Sequence, residues 1–408
     1  MTTTADEVFL RQALELAARG QGLASPNPMV GAVIVDDGGR VVGTGTHIFS
    51  ELKHAEVLAI EQAGPLASGS TLYLNLEPCS HTGRTAPCAD AVIAVGIARV
   101  VCCMEDPNPL VAGTGFEKLR AAGIEVEVGL LEAEAKRLNE GFAQFIRTGL
   151  PFVTLKAAMS LDGKITGPAE RRLQLVGSSA TSPGSSGPRP WNPSYITGDA
   201  ARRRVHEMRH ASDAILVGVG TVIADDPLLT DRSGLPRRRP LLRVILDSRL
   251  RLPLSSRIVE TAQDDLVVFC SFAEEHKRRE LEARGVRIYQ VEMDTAAPGD
   301  EELPHDGRPN LYRVFGELGA EQITSLLVEG GAAVNWGCLR ARLVDKLVLF
   351  YTPRIFGPVG AVPWLEGQNA LPPGINLSAS NITIERFGED FSVEAYLRDP
   401  YQPLRPQG

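Results

Sequence analysis

His54-Ala55-Glu56 and, further on, Pro78-Cys79 and Pro87-Cys88 are residues whose types and spacing equip this chain for chemistry. One imidazole and two thiolates give three ligands to a tetrahedral zinc ion and leave the fourth position to water. Zinc in such a site makes that water acidic enough to yield hydroxide near neutral pH. A carboxylate two residues from the histidine can lie beside the metal without binding it, take the proton from water and pass it to a leaving group. His54, Cys79 and Cys88 are therefore the candidate metal ligands and Glu56 the candidate acid–base. A His-x-Glu triplet alone is common by chance; the two Pro-Cys dipeptides, one after a strand and one opening a helix, give it weight. His81 leaves an alternative open, since a fourth protein ligand would make the zinc purely structural. Cys102 and Cys103, among Val100, Val101 and Met104, read as core thiols.

These residues need elements to hold them. Asp6 reads as the cap of a helix with apolar Phe9, Ala13, Leu14, Leu16 and Ala17, ended by Gly20. Residues 29–35 form a buried strand, Asp37-Gly38-Gly39 a turn and 41–45 the return strand of a hairpin. Helix 55–63, strand 71–76, helix 86–95, strand 98–103, helix 116–122 and strand 124–128 follow, then a helix-like stretch over 132–146. Strands alternating with helices predict a layered α/β sheet. Gly149-Leu150-Pro151 interrupts the pattern and sets a boundary between residues 1–149 and 150–408. A second alternation then starts: strand 152–159, helix 199–209, strands 213–219, 242–247 and 266–270, helix 274–284 and strand 286–291. It continues through helix 311–319, strand 323–328, helix 332–341 and strand 344–351. The Gly/Ser/Pro-rich stretch 177–188 and the Asp/Glu/Pro/Gly-rich stretch 292–309 read as loops.

A chain of 408 residues exceeds one ordinary core. Its 43% hydrophobic and 23% charged residues are those of a globular enzyme. A formal net charge of -8 argues against a nucleic-acid binder, which needs a basic face against the phosphates. No run approaches the roughly 20 apolar residues that span a bilayer, and Asp6 and Glu7 stand where a secretory signal would be basic. Six cysteines are too few for a disulfide scaffold, which points to a reducing, cytoplasmic compartment.

His-x-Glu followed by two cysteines is the known pattern of zinc deaminases. Here eight residues separate Cys79 from Cys88 instead of two, and the insert from Ser80 to Pro87 is polar and basic. With Asn27-Pro28-Met29-Val30-Gly31-Ala32-Val33 upstream, the chain resembles the bifunctional deaminase/reductase family of riboflavin biosynthesis. The resemblance implies a cytidine-deaminase-like three-layer α/β domain followed by a dihydrofolate-reductase-like domain. In it His54, Cys79 and Cys88 match the zinc ligands and Glu56 the proton shuttle. Asn27 matches a substrate position, and His47 and Arg84 are candidate substrate or phosphate contacts; a turn residue and solvated surface side chains are the bland readings of these three.

The resemblance continues through Ser160-Leu161-Asp162-Gly163, Tyr195-Ile196-Thr197-Gly198-Asp199, the run Gly218 to Thr230, Asp247-Ser248 and Val328-Glu329-Gly330-Gly331, covering residues 1 to about 370. Gly218, Gly220, Gly330 and Gly331 follow strands, where glycine lets backbone amides approach a pyrophosphate. The cofactor positions it implies, for NADPH, are Met159, Tyr195, Thr221, Asp225, Ser248 and the stretch Gly331, Ala332, Ala333, Val334, Asn335, Trp336 and Gly337. The substrate positions are Ser194, Arg209, Leu229, Arg232 and Glu329, with Lys156 a charged candidate at the reaction centre. Arg209 and Arg232 are suited to forked bonds with a phosphate. Two departures stand out: the loop 164–195 is long for the family, and Tyr195 stands where tryptophan is typical.

The reaction so implied is zinc-dependent deamination of 2,5-diamino-6-(5-phosphoribosylamino)pyrimidin-4(3H)-one, then NADPH-dependent reduction of the ribosyl group of 5-amino-6-(5-phosphoribosylamino)uracil. The partners are small phosphorylated pyrimidines, with no nucleic acid or membrane, and a homo-oligomer, dimer or tetramer, is expected. Two other readings compete. A nucleoside or tRNA deaminase with an unrelated fused domain is opposed by the acidic charge and the wide cysteine spacing. A nucleotide-binding sensor with a dead deaminase is opposed by the intact Glu56 and ligand set.

Overall fold

The computed structural model describes residues 5–81, 86–167, 196–293, 307–367, 370–371 and 376–402. Its first half is α1 (Ala5–Ala18), β1 (Gly31–Val35), β2 (Val41–Thr46), α2 (Ala55–Ala63), β3 (Thr71–Leu74), α3 (Cys88–Val95), β4 (Arg99–Cys102), α4 (Thr114–Ala121) and β5 (Glu125–Val128), then α5 (Glu132–Leu138) and α6 (Glu140–Thr148). The five strands form one sheet in the order β2-β1-β3-β4-β5. β1 runs antiparallel to both neighbours, and β3, β4 and β5 are parallel.

Glycines decide how closely helices cover this sheet. A Cβ on Gly31 would lie 2.1 Å from the Ala13 carbonyl oxygen of α1, and one on Gly45 would lie 2.0 Å from the Ala55 carbonyl oxygen of α2. Gly45 stands opposite Ala32, the neighbour of Gly31 on β1. Successive residues of a strand face opposite sides, so α1 and α2 cover opposite faces and the half has three layers.

The second half is β6 (Phe152–Ser160), β7 (Lys164–Thr166), α7 (Asp199–Ala211), β8 (Ala214–Gly218), α8 (Val219–Asp225), β9 (Leu242–Leu246), α9 (Arg257–Glu260), β10 (Leu266–Cys270), α10 (Glu275–Glu282) and β11 (Val286–Gln290). It ends with α11 (Leu311–Ala320), β12 (Ser325–Val328), α12 (Ala332–Arg340), β13 (Lys346–Thr352), β14 (Val362–Pro363), β15 (Ser380–Phe387) and β16 (Asp390–Tyr396). Nine strands form a sheet in the order β11-β10-β9-β8-β12-β6-β13-β16-β15. β11 to β13 are parallel; β16 and β15 close the edge as an antiparallel pair. β10 is buried along its whole length, as a parallel strand covered on both faces should be.

Three local expectations are corrected. Asp6 lies inside the first turn of α1 and does not cap it. Its carboxylate instead accepts from the Tyr73 hydroxyl at 2.7 Å and from Arg99 twice at 2.9 Å, which holds its pKa below the ordinary value. The helix expected over 132–146 is two helices broken at Asn139, whose side chain is drawn onto the backbone of Met29: Met29 N donates to Oδ1 at 2.8 Å and Nδ2 donates to Met29 O at 3.0 Å. The pair β15–β16 was not anticipated, because β15 is exposed along nearly its whole length and carries no buried face for a pattern to reveal. The 177–188 loop lies outside the described residues, as does most of 292–309.

Candidate active site

Three donors converge at the carboxyl end of β3. His54 sits in extended backbone just before α2, Cys79 follows β3, and Cys88 opens α3. His54 Nδ1 lies 3.1 Å from Cys88 Sγ and 3.6 Å from Cys79 Sγ, and all three donor atoms lie within 4.8 Å of one another. Zinc–sulfur and zinc–nitrogen bonds at a tetrahedral angle separate N and S ligands by about 3.5 Å, so the donor set fits zinc. Among the described residues His81 does not join this cluster, and the set keeps the three-ligand form of a catalytic site. Hydrogen bonds from Cys88 and His54 hold the Cys79 thiol well below the ordinary thiol range.

Glu56, in the first turn of α2, is buried beside this cluster, and its Oε2 has no partner among the described residues. Burial, then the Cys79 thiolate, push its carboxyl up to about 7. Such a group is suited to carry a proton at neutral pH. The cluster opens into a cleft of about 250 Å³ that Asn27, His47, Asp106 and Asn108 also line. Asn27 Nδ2 lies 3.0 Å from His47 Nε2, and His47 Nδ1 lies 3.2 Å from the Lys53 carbonyl oxygen. That carbonyl only accepts, so Nδ1 carries the proton and Nε2 accepts from Asn27. The sequence-derived positions His54, Glu56, Cys79, Cys88, Asn27 and His47 thus meet in one place; Arg84 lies outside the described residues.

Asp106 was missed. It follows β4, the parallel neighbour of β3, and burial raises its carboxyl to about 6. Its signal was topological: two adjacent parallel strands deliver their following loops to the same edge. Glu77 holds those loops together. Its buried carboxylate accepts from the backbone N–H groups of Asp106, Gly113, Gly115 and Phe116 at 3.0, 2.9, 2.7 and 3.3 Å.

In the second half, β9, β8, β12 and β6 are adjacent and parallel. Their carboxyl ends therefore bring Ser248, Gly218, Glu329 and Met159 to one edge, as a doubly wound sheet places its ligand crevice. Thr221 and Asp225 lie in α8, and Gly331 caps α12. A Cβ on Gly331 would lie 3.7 Å from Thr221 Oγ1, so two of the positions the resemblance implies for the cofactor face each other, and one on Gly220 would meet nothing within 4 Å. This edge fits a dinucleotide. Gly330 has another role: a Cβ there would lie 2.6 Å from Val334, so its bareness lets α12 close onto β12. Within the 331–337 stretch, Asn335 is fully buried and donates to the Trp364 carbonyl at 2.9 Å. Tyr195 and Ser194 lie outside the described residues.

Glu329 centres a buried ion cluster. Arg209 grips it through Nε at 2.7 Å and Nη2 at 3.1 Å, and Lys156 Nζ lies 3.3 Å away. Burial disfavours the charge, but Lys156 and Arg209 more than offset it and hold the carboxyl down at about 2. The Arg209 fork, expected to grip a phosphate, is thus turned on Glu329, with Nη1 on the Thr230 carbonyl at 3.2 Å. Exposed Arg232 remains open toward solvent. Leu229 is buried in the apolar core, so only its backbone is placed to meet a ligand. His206 stands near Arg209 and Arg232; burial and both guanidiniums lower its pKa.

The fold and the site together define a two-part enzyme, a zinc deaminase joined to a reductase. Residues 3–104 match the cytidine and deoxycytidylate deaminase zinc-binding region, and residues 151–393 match the RibD C-terminal domain. The riboflavin biosynthesis protein RibD of Bacillus amyloliquefaciens is 38% identical over 97% of this chain and 97% of its own length. That of Escherichia coli K12 is 39% identical over 86% of this chain and 89% of its own. Among solved structures, RibD of Acinetobacter baumannii superposes with a TM-score of 0.76 at 34% identity, covering 97% of this chain and 99% of that one. The diaminohydroxyphosphoribosylaminopyrimidine deaminase/5-amino-6-(5-phosphoribosylamino)uracil reductase of Thermotoga maritima gives 0.74 at 34%, over 96% and 98%. The chain belongs to the RibD family. It is a bifunctional deaminase and reductase of riboflavin biosynthesis with zinc and NADPH as its cofactors.

Proposed function

We propose that the five-stranded half deaminates 2,5-diamino-6-(5-phosphoribosylamino)pyrimidin-4(3H)-one and that the nine-stranded half reduces the ribosyl group of 5-amino-6-(5-phosphoribosylamino)uracil. The observation that carries this reading is the convergence of His54, Cys79, Cys88 and Glu56 at a cleft shared with Asn27 and His47. Zinc, when bound by the three ligands, supplies an acidified water. Glu56 takes a proton at its buried, unpartnered Oε2 and passes it to the amino group that leaves as ammonia. Asn27, oriented by His47, faces the pyrimidine, and Arg84 in the polar insert is the candidate for its phosphate.

NADPH, when bound along the edge formed by Met159, Thr221, Asp225, Ser248 and residues 331–337, supplies the hydride; Tyr195 is a cofactor candidate from the family resemblance. Lys156 and Glu329, braced by Arg209, orient the sugar, while the Leu229 backbone and Arg232 complete the substrate side; Ser194 is a substrate candidate from the family resemblance. We place the division between the halves at Gly149 and Leu150. We infer a homo-oligomer, supported by the exposed edge strand β15, and a cytoplasmic location, supported by six free thiols.

Ammonia release and NADPH oxidation test the reading, in the wild type and in Glu56→Gln. Glu56→Gln abolishes ammonia release and leaves reduction of supplied aminouracil phosphate intact. Loss of both steps would contradict two independent sites.

A further inference from the structure

One wall of the deaminase cleft is a helix of the five-stranded half that also packs on the nine-stranded half. Phe142 and Ile146 line the cleft, and both come from α6. Residues four apart share one helix face. Other residues of α6 meet the nine-stranded half: the helix packs against β6, and Gly141 lies against Thr324 and Ser325.

Both ends of this helix of nine residues, about 14 Å long, are tied to that half. At its start, the Glu140 carboxylate accepts from the Tyr396 hydroxyl and lies 3.5 Å from Lys346 Nζ. Lys346 is fixed in turn by Glu394 at 2.8 Å and sits 4.9 Å over the Tyr396 ring. The Glu140 and Lys346 side chains are only 12% and 16% exposed, so removing one partner strands a charge away from water. At its end, Arg147 donates to the Pro400 carbonyl, and neighbouring Tyr401 packs on the five-stranded core with its hydroxyl on the Lys136 carbonyl at 2.8 Å. Asn139, just before Glu140, holds both the N–H and the carbonyl of Met29, between Pro28 and Val30 of the same cleft.

We propose that Lys346 and Tyr396, residues of the reductase sheet, are positioning residues of the deaminase. They hold Glu140 and so set where α6 presents Phe142 and Ile146 to the pyrimidine. The inference rests on reading the cleft as the deaminase site. Neither residue lines the cleft or the metal cluster, so their loss loosens a wall without touching proton transfer. The effect falls on KM and not on kcat.

The test uses full-length Lys346→Met, Lys346→Arg and Tyr396→Phe. In Lys346→Met, amide hydrogen exchange over residues 140–148 speeds up by about tenfold. The deaminase KM rises about five- to tenfold with kcat within about twofold, while zinc content and reduction of supplied aminouracil phosphate match the wild type. Lys346→Arg restores both, and Tyr396→Phe, a single lost hydroxyl, shows the same direction and carries the test should Lys346→Met not accumulate. Wild-type exchange and KM in both Lys346→Met and Tyr396→Phe would overturn the proposal, as would parallel loss of zinc and both activities. Absence of ammonia release from the wild type would sink the reading of the cleft instead, and the exchange measurement would still decide whether Lys346 holds α6.

Discussion

Glu329 and Glu56 are both buried carboxyls pushed in opposite directions by their neighbours. Beside Glu329 stand two cations, so it stays ionised, held down at about 2. Beside Glu56 stand thiols and a histidine, and burial dominates. For Glu329 the native carboxyl binds its proton more weakly than the unfolded one at 4.5. Its contribution to stability is therefore complete above about pH 5 and is lost as pH falls toward 2. Glu329→Gln leaves Lys156 and Arg209 without their counter-charge. It should be less stable than the wild type at pH 7, with the gap closing between about pH 5 and pH 2. Denaturant midpoints across that range measure it, and a gap that stays constant would contradict the ion cluster. Both carboxyls were expected as site residues, Glu56 from its motif and Glu329 from the family resemblance. Their opposite shifts were not, because folding sets them: Lys156 and Arg209 against burial for Glu329, burial and then Cys79 for Glu56.

At the scale of elements, most helices and strands were readable from periodicity, and α2 was anticipated over the same residues it occupies, 55–63. The elements that escaped did so for two reasons. β15 is exposed, so burial imposes no alternation on it; α5 and α6 part at Asn139 because a backbone more than a hundred residues away claims that side chain. The spacing of helix and sheet was carried by glycines whose role only appears on packing. Gly45 lets α2 approach β2 closely enough to bring His54 and Glu56 to Cys79. Gly45→Ala would place a Cβ 2.0 Å from the Ala55 carbonyl oxygen, and α2 must shift away. The variant should lose most bound zinc and most ammonia release, while NADPH oxidation with aminouracil phosphate persists. Metal analysis beside the two assays checks this; full zinc occupancy would show that α2 tolerates the added methyl.

Across the whole molecule, the two halves are joined by polar contacts as well as by the chain. Asp213, at the start of β8, accepts from the Ser25 hydroxyl at 2.7 Å and from Thr324 N at 2.8 Å. Arg238 lies 4.3 Å over the Phe49 ring. Contacts of this kind fix one half against the other, which is why a reductase lysine can reach the deaminase wall. At one edge of the nine-stranded sheet, β15 exposes Ile382 and Ile384 at 60% and 69% and has a strand neighbour on one side only among the described residues, an edge that a second copy can cover. The homo-oligomer proposed above predicts that Ile384→Lys lowers the mass measured by light scattering while both active sites continue to turn over; an unchanged mass would count against β15 as its interface. The sequence by itself singled out His54, Cys79, Cys88 and Glu56, which the fold brings together, and determined the two-part α/β plan and the family, because local spacing and periodicity encode residue chemistry and burial. Only the tertiary structure decided that the Arg209 fork grips Glu329, that Asp106 joins the zinc cleft, and that α6 is shared by both halves. Each of these depends on groups far apart in the chain that meet only when the sheets form and water is excluded between them.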